Sequence, residues 1–475
     1  MVQPVNTDIC VIGGGSGGLS IATAASQMGA KTVLIEKGRM GGDCLNFGCV
    51  PSKSLISAGR VADNIRHAAQ FGIEAQGPTI NFARVHDHIH DVIDSIAPLD
   101  SVERFEALGV KVLQTPARFV SPREVDAGGT RVIAKRFVIS TGSAPLVPPI
   151  PGLDKVPFWT NETVFDNREK PEHLIVIGGG PIGLEFAQAF RNLGCNVSVV
   201  EMFEPLAKED PELVNVVTTA LRRSGVAIHA HSQVVSVASG RDGVVVEIEH
   251  DGQRCEVQGT HLLVAAGRKP NISELGLDEA GIRYSKKGID VDDSLRTANR
   301  RVYAIGDVIG GLQFTHVANY HAGIVIRNAL FRWPVKVDYA SIPRATYTNP
   351  ELAHVGQSEE EARERYGDIR ILRWPVAEND RAHTERQHDG LVKAITTRRG
   401  SVLGAAIVAE HAGDLIQPWV LAISQRLKIG AMAGMVVAYP TLSEISKRAA
   451  GSYYVPSLFG KRTQRLVRFL MRFSP

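Results

Sequence analysis

The stretch Ile9-Cys10-Val11-Ile12-Gly13-Gly14-Gly15-Ser16-Gly17-Gly18 decides the fold of this chain. Its apolar start predicts a buried strand, and the glycines predict a tight turn into a helix. A second apolar run then ends at Glu36. In such a unit Gly13 and Gly15 let the backbone approach a pyrophosphate, and Gly18 lets the helix pack on the strand. The acidic residue can accept hydrogen bonds from ribose hydroxyls, so the stretch predicts a dinucleotide site.

The same pattern occurs a second time, in Leu174-Ile175-Val176-Ile177-Gly178-Gly179-Gly180-Pro181-Ile182-Gly183 followed by a strand ending near Glu201. Each copy is followed by residues with strand and turn signals, around 112–139 and 234–264, where Asp251-Gly252 predicts a hairpin turn. The sequence therefore predicts an α/β chain with two Rossmann-type dinucleotide-binding domains that carry β-meander insertions.

Two cysteines, Cys44 and Cys49, lie in the run from Gly41 to Lys53 just after the first dinucleotide unit. Half of a zinc site is one interpretation, but a closed zinc site needs about four ligands, and no second cysteine pair or nearby histidine supplies them. Two reduced structural cysteines are another. The neighbouring motif favours a redox pair that exchanges electrons with a flavin. The remaining cysteines are expected to be small core or surface residues: Cys10, Cys195 and Cys255.

Length and charge set the class of protein. A chain of 475 residues holds about three or four domains. The formal charge of +3 indicates neither a nucleic acid nor an acidic partner. The beginning of the sequence has no basic segment followed by an apolar one, and no stretch of about 20 apolar residues occurs, so a cytoplasmic protein is expected.

In these motifs the chain resembles the FAD-dependent pyridine nucleotide-disulfide oxidoreductases, the family of dihydrolipoamide dehydrogenase, glutathione reductase and mercuric reductase. Further matching motifs are Ala304-Ile305-Gly306-Asp307 and Tyr347-Thr348-Asn349-Pro350-Glu351. The resemblance implies an FAD-binding domain (1–150), an NAD-binding domain (151–272), a central segment returning to the FAD domain (273–340), and a C-terminal α+β dimerisation domain with a basic tail (341–475). A homodimer is therefore expected.

The resemblance also implies FAD and NAD(H) as cofactors and assigns a set of cofactor-binding residues. These are Gly13, Gly15, Ser16, Gly18, Glu36, Lys37, Gly42, Asp43, Lys53, Ala117, Gly142, Asp307 and Thr315, with Gly178, Gly180, Gly183, Glu201 and Gly267. NAD(H) is preferred over NADP(H) because Glu201 would repel a 2′-phosphate and Met202 stands where NADP-dependent members usually carry arginine. Lys208 is close enough to leave some NADPH use open.

The catalytic residues implied by the resemblance are Cys44, Cys49, Lys53, Glu185, Tyr439 and Glu444. Cys49 takes the role of the flavin-proximal sulfur, and Cys44 that of the exposed sulfur that attacks substrate. Lys53 lies about one helical turn after Cys49, and the family places it beside the flavin N5, paired with the residue equivalent to Glu185.

Tyr439 is the departure that matters most, because disulfide-reducing members have histidine directly before this Pro-Thr. A histidine accepts a proton near pH 7, whereas a tyrosine remains a neutral donor. Simple interface packing is the other interpretation of Tyr439. Glu444, which orients that histidine in the family from the partner subunit, is retained.

Three functions remain open on the sequence. The first is a dihydrolipoamide dehydrogenase-like exchange between NADH and a small-molecule or lipoyl-type disulfide. The second is a metal-ion reductase, because mercuric reductases also place tyrosine here, although the chain lacks their C-terminal cysteine pair. The third is a non-catalytic redox-sensing flavoprotein. Glutathione is disfavoured because Thr23 and Ala24 stand where glutathione-type members carry arginines.

The segment from Lys461 to Phe473 combines basic and apolar residues at helical spacing. Such a helix can make weak contact with an anionic membrane surface. A helix that packs its apolar side on its own dimer is the alternative.

Overall fold

The structure, a computed structural model, describes residues 3–473. Its elements from the start of the chain to residue 177 are β1 (Val5–Ile12), α1 (Ser16–Gln27), β2 (Thr32–Glu36), α2 (Gly42–Asn46), α3 (Cys49–Arg66), α4 (Phe82–Ile96), α5 (Val102–Ala107), β3 (Val110–Gln114), β4 (Ala117–Ser121), β5 (Glu124–Ala127), β6 (Thr130–Ile139), β7 (Ser143–Pro145) and β8 (His173–Ile177).

The middle of the chain contains α6 (Pro181–Asn192), β9 (Asn196–Val200), α7 (Pro211–Arg223), β10 (Val226–His229), β11 (Gln233–Gly240), β12 (Gly243–His250), β13 (Gln253–Gly259), β14 (His261–Val264), β15 (Arg268–Pro270), β16 (Tyr284–Ser285), β17 (Gly288–Ile289), β18 (Val302–Ala304) and α8 (Thr315–Ala329). The last part contains β19 (Arg344–Thr346), β20 (Glu351–Gly356), α9 (Glu359–Tyr366), β21 (Ile369–Pro375), α10 (Asp380–Glu385), β22 (Leu391–Thr397), β23 (Val402–Ala409), α11 (Ala412–Leu415), α12 (Gln417–Ser424), α13 (Ile429–Ala433), α14 (Glu444–Ser452), α15 (Val455–Leu458) and α16 (Lys461–Leu470).

The chain divides into two compact units. The first comprises residues up to 178 with 192–196 and 233–337, and the second comprises 179–191, 197–232 and the residues from 338 onwards. The predicted boundaries near 150, 272 and 340 stay predictions. Residues 1–2 and 474–475 of the first and last predicted domains lie outside the described residues.

The first unit is built on β1, which pairs in parallel with β2 and β6. Strand β3 extends the sheet beyond β2, and β18 pairs with β6. Ile9 and Val11 pack into one apolar cluster, whereas Cys10 and Ile12 pack into another. Because both faces of β1 are buried, its sequence from Ile9 to Ile12 is a continuous apolar run and does not alternate between apolar and polar residues. The α/β fold class predicted from the first stretch is confirmed.

Antiparallel strands form the predicted meanders of the first unit. Strands β4, β5 and β6 pair in sequence order, as do β11, β12 and β13. The turn between β12 and β13 has positive φ at both Asp251 and Gly252, +48° and +76°. Both central residues of a type I′ turn require φ above zero. The predicted Asp-Gly hairpin turn is therefore confirmed.

The second unit contains an antiparallel sheet in the order β19-β20-β23-β22-β21. Helices α11 to α14 contribute to an apolar core on this sheet that includes Trp419, Ile445 and Ala449. The buried indole N–H of Trp419 donates to Ser446 Oγ at 3.0 Å, so this donor is satisfied inside the core. The predicted C-terminal α+β part is confirmed in this sheet and its helices.

A nearly buried cation also stabilises the second unit. The side chain of Lys393 on β22 is 7% exposed, and its ammonium lies 2.6 Å from Asp210 and 2.8 Å from Glu359. Asp210 also caps α7 by accepting from the backbone N–H of Glu212 at 3.0 Å. Because a buried charge needs partners, this group ties β22 to the starts of α7 and α9.

Candidate functional site

The first glycine turn has the backbone shape that a dinucleotide needs. Gly13 has φ +110°, and a Cβ there would lie 2.4 Å from the carbonyl oxygen of Ser140. A Cβ on Gly18 would lie 1.9 Å from the carbonyl oxygen of Gly13. The N-cap of α1 is Gly15, whose missing side chain leaves the start of the helix open, and Ser16 is its first residue. A pyrophosphate could therefore bind the backbone N–H groups of this turn.

Glu36 is held by the backbone of its own unit. One carboxylate oxygen accepts from the N–H of Gly14, and the other accepts from the N–H of Gly38 at 2.6 Å. These two bonds fix the carboxylate at the end of β2, where its remaining lone pairs can accept from ribose hydroxyls. Lys37 follows it and is exposed.

The second glycine turn repeats this arrangement. Gly178 has φ +114°, and a Cβ there would lie 2.4 Å from the carbonyl oxygen of Ala265. A Cβ on Gly180 would meet nothing within 4 Å, and Gly183 lies in α6. Glu201 accepts from the N–H of Gly179 at 2.6 Å and from that of Phe203 at 2.9 Å.

The two glycine-ended strands that close the meanders pair with each other. Strand β7 pairs antiparallel with β15, and Asn271 donates through its backbone N–H to the carbonyl oxygen of Gly142 at 3.0 Å. Gly142 and Gly267 both have positive φ, +67° and +121°. Ala117, the remaining predicted cofactor contact in this part of the chain, begins β4.

The cysteine pair lies at the junction of two helices. Cys44 is in α2, and Cys49 is the first residue of α3, with Lys53 one turn further along the same helix. Both cysteines are free thiols in this structure. Thr315, the first residue of α8, lies with its hydroxyl 3.6 Å from the sulfur of Cys49. Gly42 has φ +60°, and a Cβ there would lie 2.7 Å from the Cα of Gly15, so α2 begins against the first glycine turn.

The two thiols have opposite electrostatic environments. A hydrogen bond from Cys44 is the largest of the effects that lower the pKa of Cys49 to about 6, and the hydroxyl of Thr315 and the charge of Lys53 add to it. The same hydrogen bond, together with desolvation, raises the pKa of Cys44. These opposite shifts favour the thiolate on Cys49 and the proton on Cys44.

Arg268 joins two acidic residues that the sequence assigned to the cofactor. Its guanidinium lies 3.2 Å from Asp43 and 3.8 Å from Asp307. It also donates to the hydroxyl of Ser143 at 2.7 Å, and that hydroxyl donates to Asp307 at 2.6 Å. Asn161 donates to Asp43 at 3.2 Å. Burial raises the pKa of Asp307, while the Ser143 hydrogen bond and the Arg268 charge oppose the rise.

This group contains residues that the sequence reasoning missed. Arg268 directly follows Gly267, and of these two residues only the glycine was predicted to bind a cofactor. The 11% exposed side chain of Arg268 was a signal that only the folded chain provides. Ser143 and Asn161 carried no signal in the sequence, because their partners are far away along the chain.

The predicted residues of the second unit form two separate groups. Glu185 is buried in α6 and accepts from the backbone N–H of Tyr347 at 2.9 Å. Tyr439 is 70% exposed and donates its hydroxyl to Asp380 at 2.9 Å. The hydrogen bond to Asp380 raises the pKa of Tyr439. The charge of Glu444, at the start of α14, raises this pKa further. Asp380 was not identified from the sequence. Lys53 and Glu185 fall in different units, and their pairing stays a prediction.

Two absences concern the described residues, 3–473. Within that range no three His, Cys, Asp or Glu side chains lie where they could hold a metal ion together. No helix between the same two residues is long and apolar enough to cross a bilayer.

Residues 7–322 match the family model described as "Pyridine nucleotide-disulphide oxidoreductase", and residues 342–450 match that of its dimerisation domain. A mercuric reductase of Bacillus cereus is 34% identical, over 93% of this chain and 70% of that protein. A dihydrolipoyl dehydrogenase of Bacillus subtilis is 36% identical, over 94% of this chain and 96% of its own.

Solved structures give the same similarity. The HOCl-induced flavoprotein disulfide reductase RclA of Escherichia coli superimposes with a TM-score of 0.82 at 26% identity, covering 95% of this chain and all of that one. Its Cu(II) complex superimposes with a TM-score of 0.83 at 27% identity, covering 92% and 98% of the two chains. The named relatives thus differ in what they act on.

Proposed function

Because this chain belongs to the pyridine nucleotide-disulphide oxidoreductase family, we propose that it passes electrons between NADH and a dithiol or disulfide substrate through Cys44 and Cys49. The observation that carries the proposal is the position of the cysteine pair, where α2 and α3 meet beside the first glycine turn and Thr315. The surroundings there lower the pKa of Cys49 and raise that of Cys44. Low-pKa cysteines are the reactive ones, whereas structural buried cysteines are inert.

FAD fits the first glycine turn. The family is FAD-dependent, and a bound flavin would supply two-electron transfer between a nicotinamide and a disulfide. The open start of α1 and the fixed carboxylate of Glu36 suit its pyrophosphate and ribose. Asp307, held by Ser143 and Arg268, is our candidate for the flavin ribityl chain. Lys53 would place a cation near the reacting ring.

NADH fits the second turn better than NADPH. Glu201 is fixed by two backbone N–H groups, so its charge cannot swing away from an incoming ribose. A carboxylate there accepts from a 2′-hydroxyl and repels a 2′-phosphate. Met202, the next residue, brings no positive charge to offset that repulsion.

The sulfur chemistry follows from the position of the proton. When a substrate disulfide is reduced, Cys44 first passes its proton to the Cys49 thiolate and then attacks one substrate sulfur as a thiolate. The other substrate sulfur leaves as a thiolate and takes that proton from Cys49. The Cys49 thiolate then attacks the Cys44 sulfur, which releases the second substrate sulfur as a thiolate that solvent protonates. The cysteine pair loses two electrons and becomes a disulfide, and the substrate gains them.

A homodimer is part of the proposal. Residues 342–450 match a dimerisation domain, and they include Tyr439 and Glu444. In the family the residue equivalent to Glu444 acts from the partner subunit, so the substrate site would be complete only in the dimer.

Reduction of a thiol-bound metal ion is the second candidate, and Tyr439 is the observation that favours it. With its hydroxyl donated to Asp380 and its pKa raised, Tyr439 cannot remove the Cys44 proton near pH 7. A soft metal ion needs no such base, because it displaces thiol protons on binding. The B. cereus relative is named a mercuric reductase.

An anaerobic titration of the FAD holoenzyme with NADH tests both candidates. We expect NADH to reduce the enzyme, and oxidation to follow with a small disulfide or with Hg(II). Cys44→Ser is the control that should still accept electrons from NADH but lose turnover with disulfides. If NADH does not reduce the holoenzyme, the proposal is wrong, and a redox-sensing role without turnover replaces it.

A further inference from the structure

Residues 461–473 include an exposed helix that no part of the proposed function uses. Helix α16 spans Lys461–Leu470, and it contains no buried residue. Each large apolar side chain from Leu466 to Phe473 is between 51% and 73% exposed: Leu466, Val467, Phe469, Leu470, Met471 and Phe473. Exposed apolar residues concentrated in one segment mark an interaction surface. We call residues 461–473 the tail.

Four of the five basic side chains in the tail share one side of the helix. At about 100° per residue, Lys461, Arg465, Arg468 and Arg472 fall within one narrow arc. The apolar residues fill the broader arc that remains, and the fifth basic residue, Arg462, falls among them. The preceding turn, α15, adds further exposed apolar side chains in Val455, Leu458 and Phe459. Exposed apolar side chains therefore occur in both helices.

The charge of this segment has one sign. From Ile445 to the end, the sequence holds seven Lys or Arg residues and no Asp or Glu. The match to the dimerisation domain ends at residue 450, before the tail begins. A two-fold dimer contact would place this surface against itself and bring like charges together. The tail of a second subunit is therefore not expected to bind this surface, because the two would repel each other.

We propose that the tail docks on an anionic phospholipid bilayer. A short helix with an apolar face and a basic face lies in the plane of the lipid headgroups, with its apolar side chains in the outer acyl region and its cations near the phosphates. Each Lys or Arg near such a surface strengthens binding several-fold, and the attraction weakens as salt is added. In a homodimer two tails would bind together and add avidity.

Vesicle flotation of the full-length FAD holoenzyme tests the proposal. Vesicles contain either phosphatidylcholine alone or phosphatidylcholine with about 30% phosphatidylglycerol. We expect binding to the anionic vesicles at low salt that is lost at high salt. The triple variant Arg465→Glu, Arg468→Glu and Arg472→Glu should bind on the order of 100-fold more weakly. Removing everything after Gly460 should abolish binding.

A matched control separates the tail from the net charge. Arg241, Arg283 and Arg399 are exposed and lie outside the tail, and changing all three to Glu alters the charge by the same amount. This triple variant should bind the anionic vesicles as well as the unsubstituted protein does. A second variant, Phe469→Ser with Leu470→Ser, keeps every charge and should still lose binding, because the apolar face is needed as well.

Equal flotation of the full-length and truncated proteins would overturn the proposal. A second result would also overturn it: the full-length protein does not bind vesicles, and truncation converts the dimer to a monomer. The tail would then be a contact between subunits. Light scattering gives the mass of each species, and the flavin content and NADH reduction of every variant show that it is folded.

Discussion

The hydrogen bond from the Cys44 thiol controls the charge of Cys49. Cys44 donates a hydrogen bond that favours the Cys49 thiolate, and no other single effect lowers that pKa as much. The sequence predicted that Cys44 and Cys49 form a pair, but it did not predict that their pKa values shift in opposite directions. A pKa depends on distances between groups that the folded structure determines. Thr315 comes from a helix more than two hundred residues away.

Replacing Cys44 by Ala removes that donor, so the pKa of Cys49 should rise from about 6 toward the ordinary value of a thiol. Cys44→Ser keeps a donor and should hold the pKa low. The rate of iodoacetamide alkylation of Cys49 in reduced protein, measured against pH by mass spectrometry, reports the thiolate. An alkylation midpoint that is the same in both variants would show that the hydrogen bond does not control the charge.

Tyr439 should limit dihydrolipoamide oxidation near pH 7. It is a neutral donor bound to Asp380, so the wild type should be slow and should speed up as the pH rises. Tyr439→His should raise the rate at pH 7 by about 100-fold to 10,000-fold, the range of general-base catalysis. Tyr439→Phe is the control and should bring no gain. A wild type that is already fast at pH 7 would mean that no base is missing.

At the scale of an element, each glycine turn and its acidic residue act as one local unit. Glu36 bonds to the N–H of Gly14 as Glu201 bonds to that of Gly179. Contacts this local follow a fixed spacing, so the sequence predicted both units correctly. The pairing of β7 with β15 joins distant residues of two strand ends, which no spacing reveals.

Gly18 tests how tightly α1 packs on the first turn. A Cβ at this position would lie 1.9 Å from the carbonyl oxygen of Gly13, so Gly18→Ala must shift the helix away from the turn. Overpacking of this kind costs about 1–3 kcal/mol or more of unfolding free energy. We also expect less FAD per chain. Gly77→Ala, where the added Cβ meets nothing within 4 Å, is the control. Thermal unfolding and flavin absorbance measure both effects.

At the scale of the molecule, the second unit is assembled from separated stretches of chain. Residues 179–191 and 197–232 join everything from 338 onwards. Lys393 reaches Asp210, 183 positions earlier in the chain, to make this connection. The sequence predicted a separate C-terminal part from its motifs, but it could not predict which earlier residues that part would recruit.

Lys393→Met should destabilise the second unit, because it leaves Asp210 and Glu359 without their shared cation. Breaking a buried pair costs about 3–5 kcal/mol, and the lower end applies here since the carboxylates are partly exposed. Arg373 lies opposite Lys393 on β21 and pairs with the exposed Glu212, so Arg373→Met should cost at most about 1 kcal/mol. Urea unfolding compares the two, and equal losses would contradict a special role for Lys393.

The hydrogen bond between the two sulfurs also sets how acidity and reduction are linked. Above about pH 6 the reduced pair keeps one proton for its two electrons, so its midpoint potential should fall by about 30 mV per pH unit. Below about pH 6, where Cys49 is protonated too, the slope should double to about 60 mV. Equilibration with dithiothreitol redox buffers, followed by thiol trapping, measures both slopes. The enzyme would then lose reducing strength only half as fast as an ordinary dithiol when its surroundings turn from alkaline to neutral.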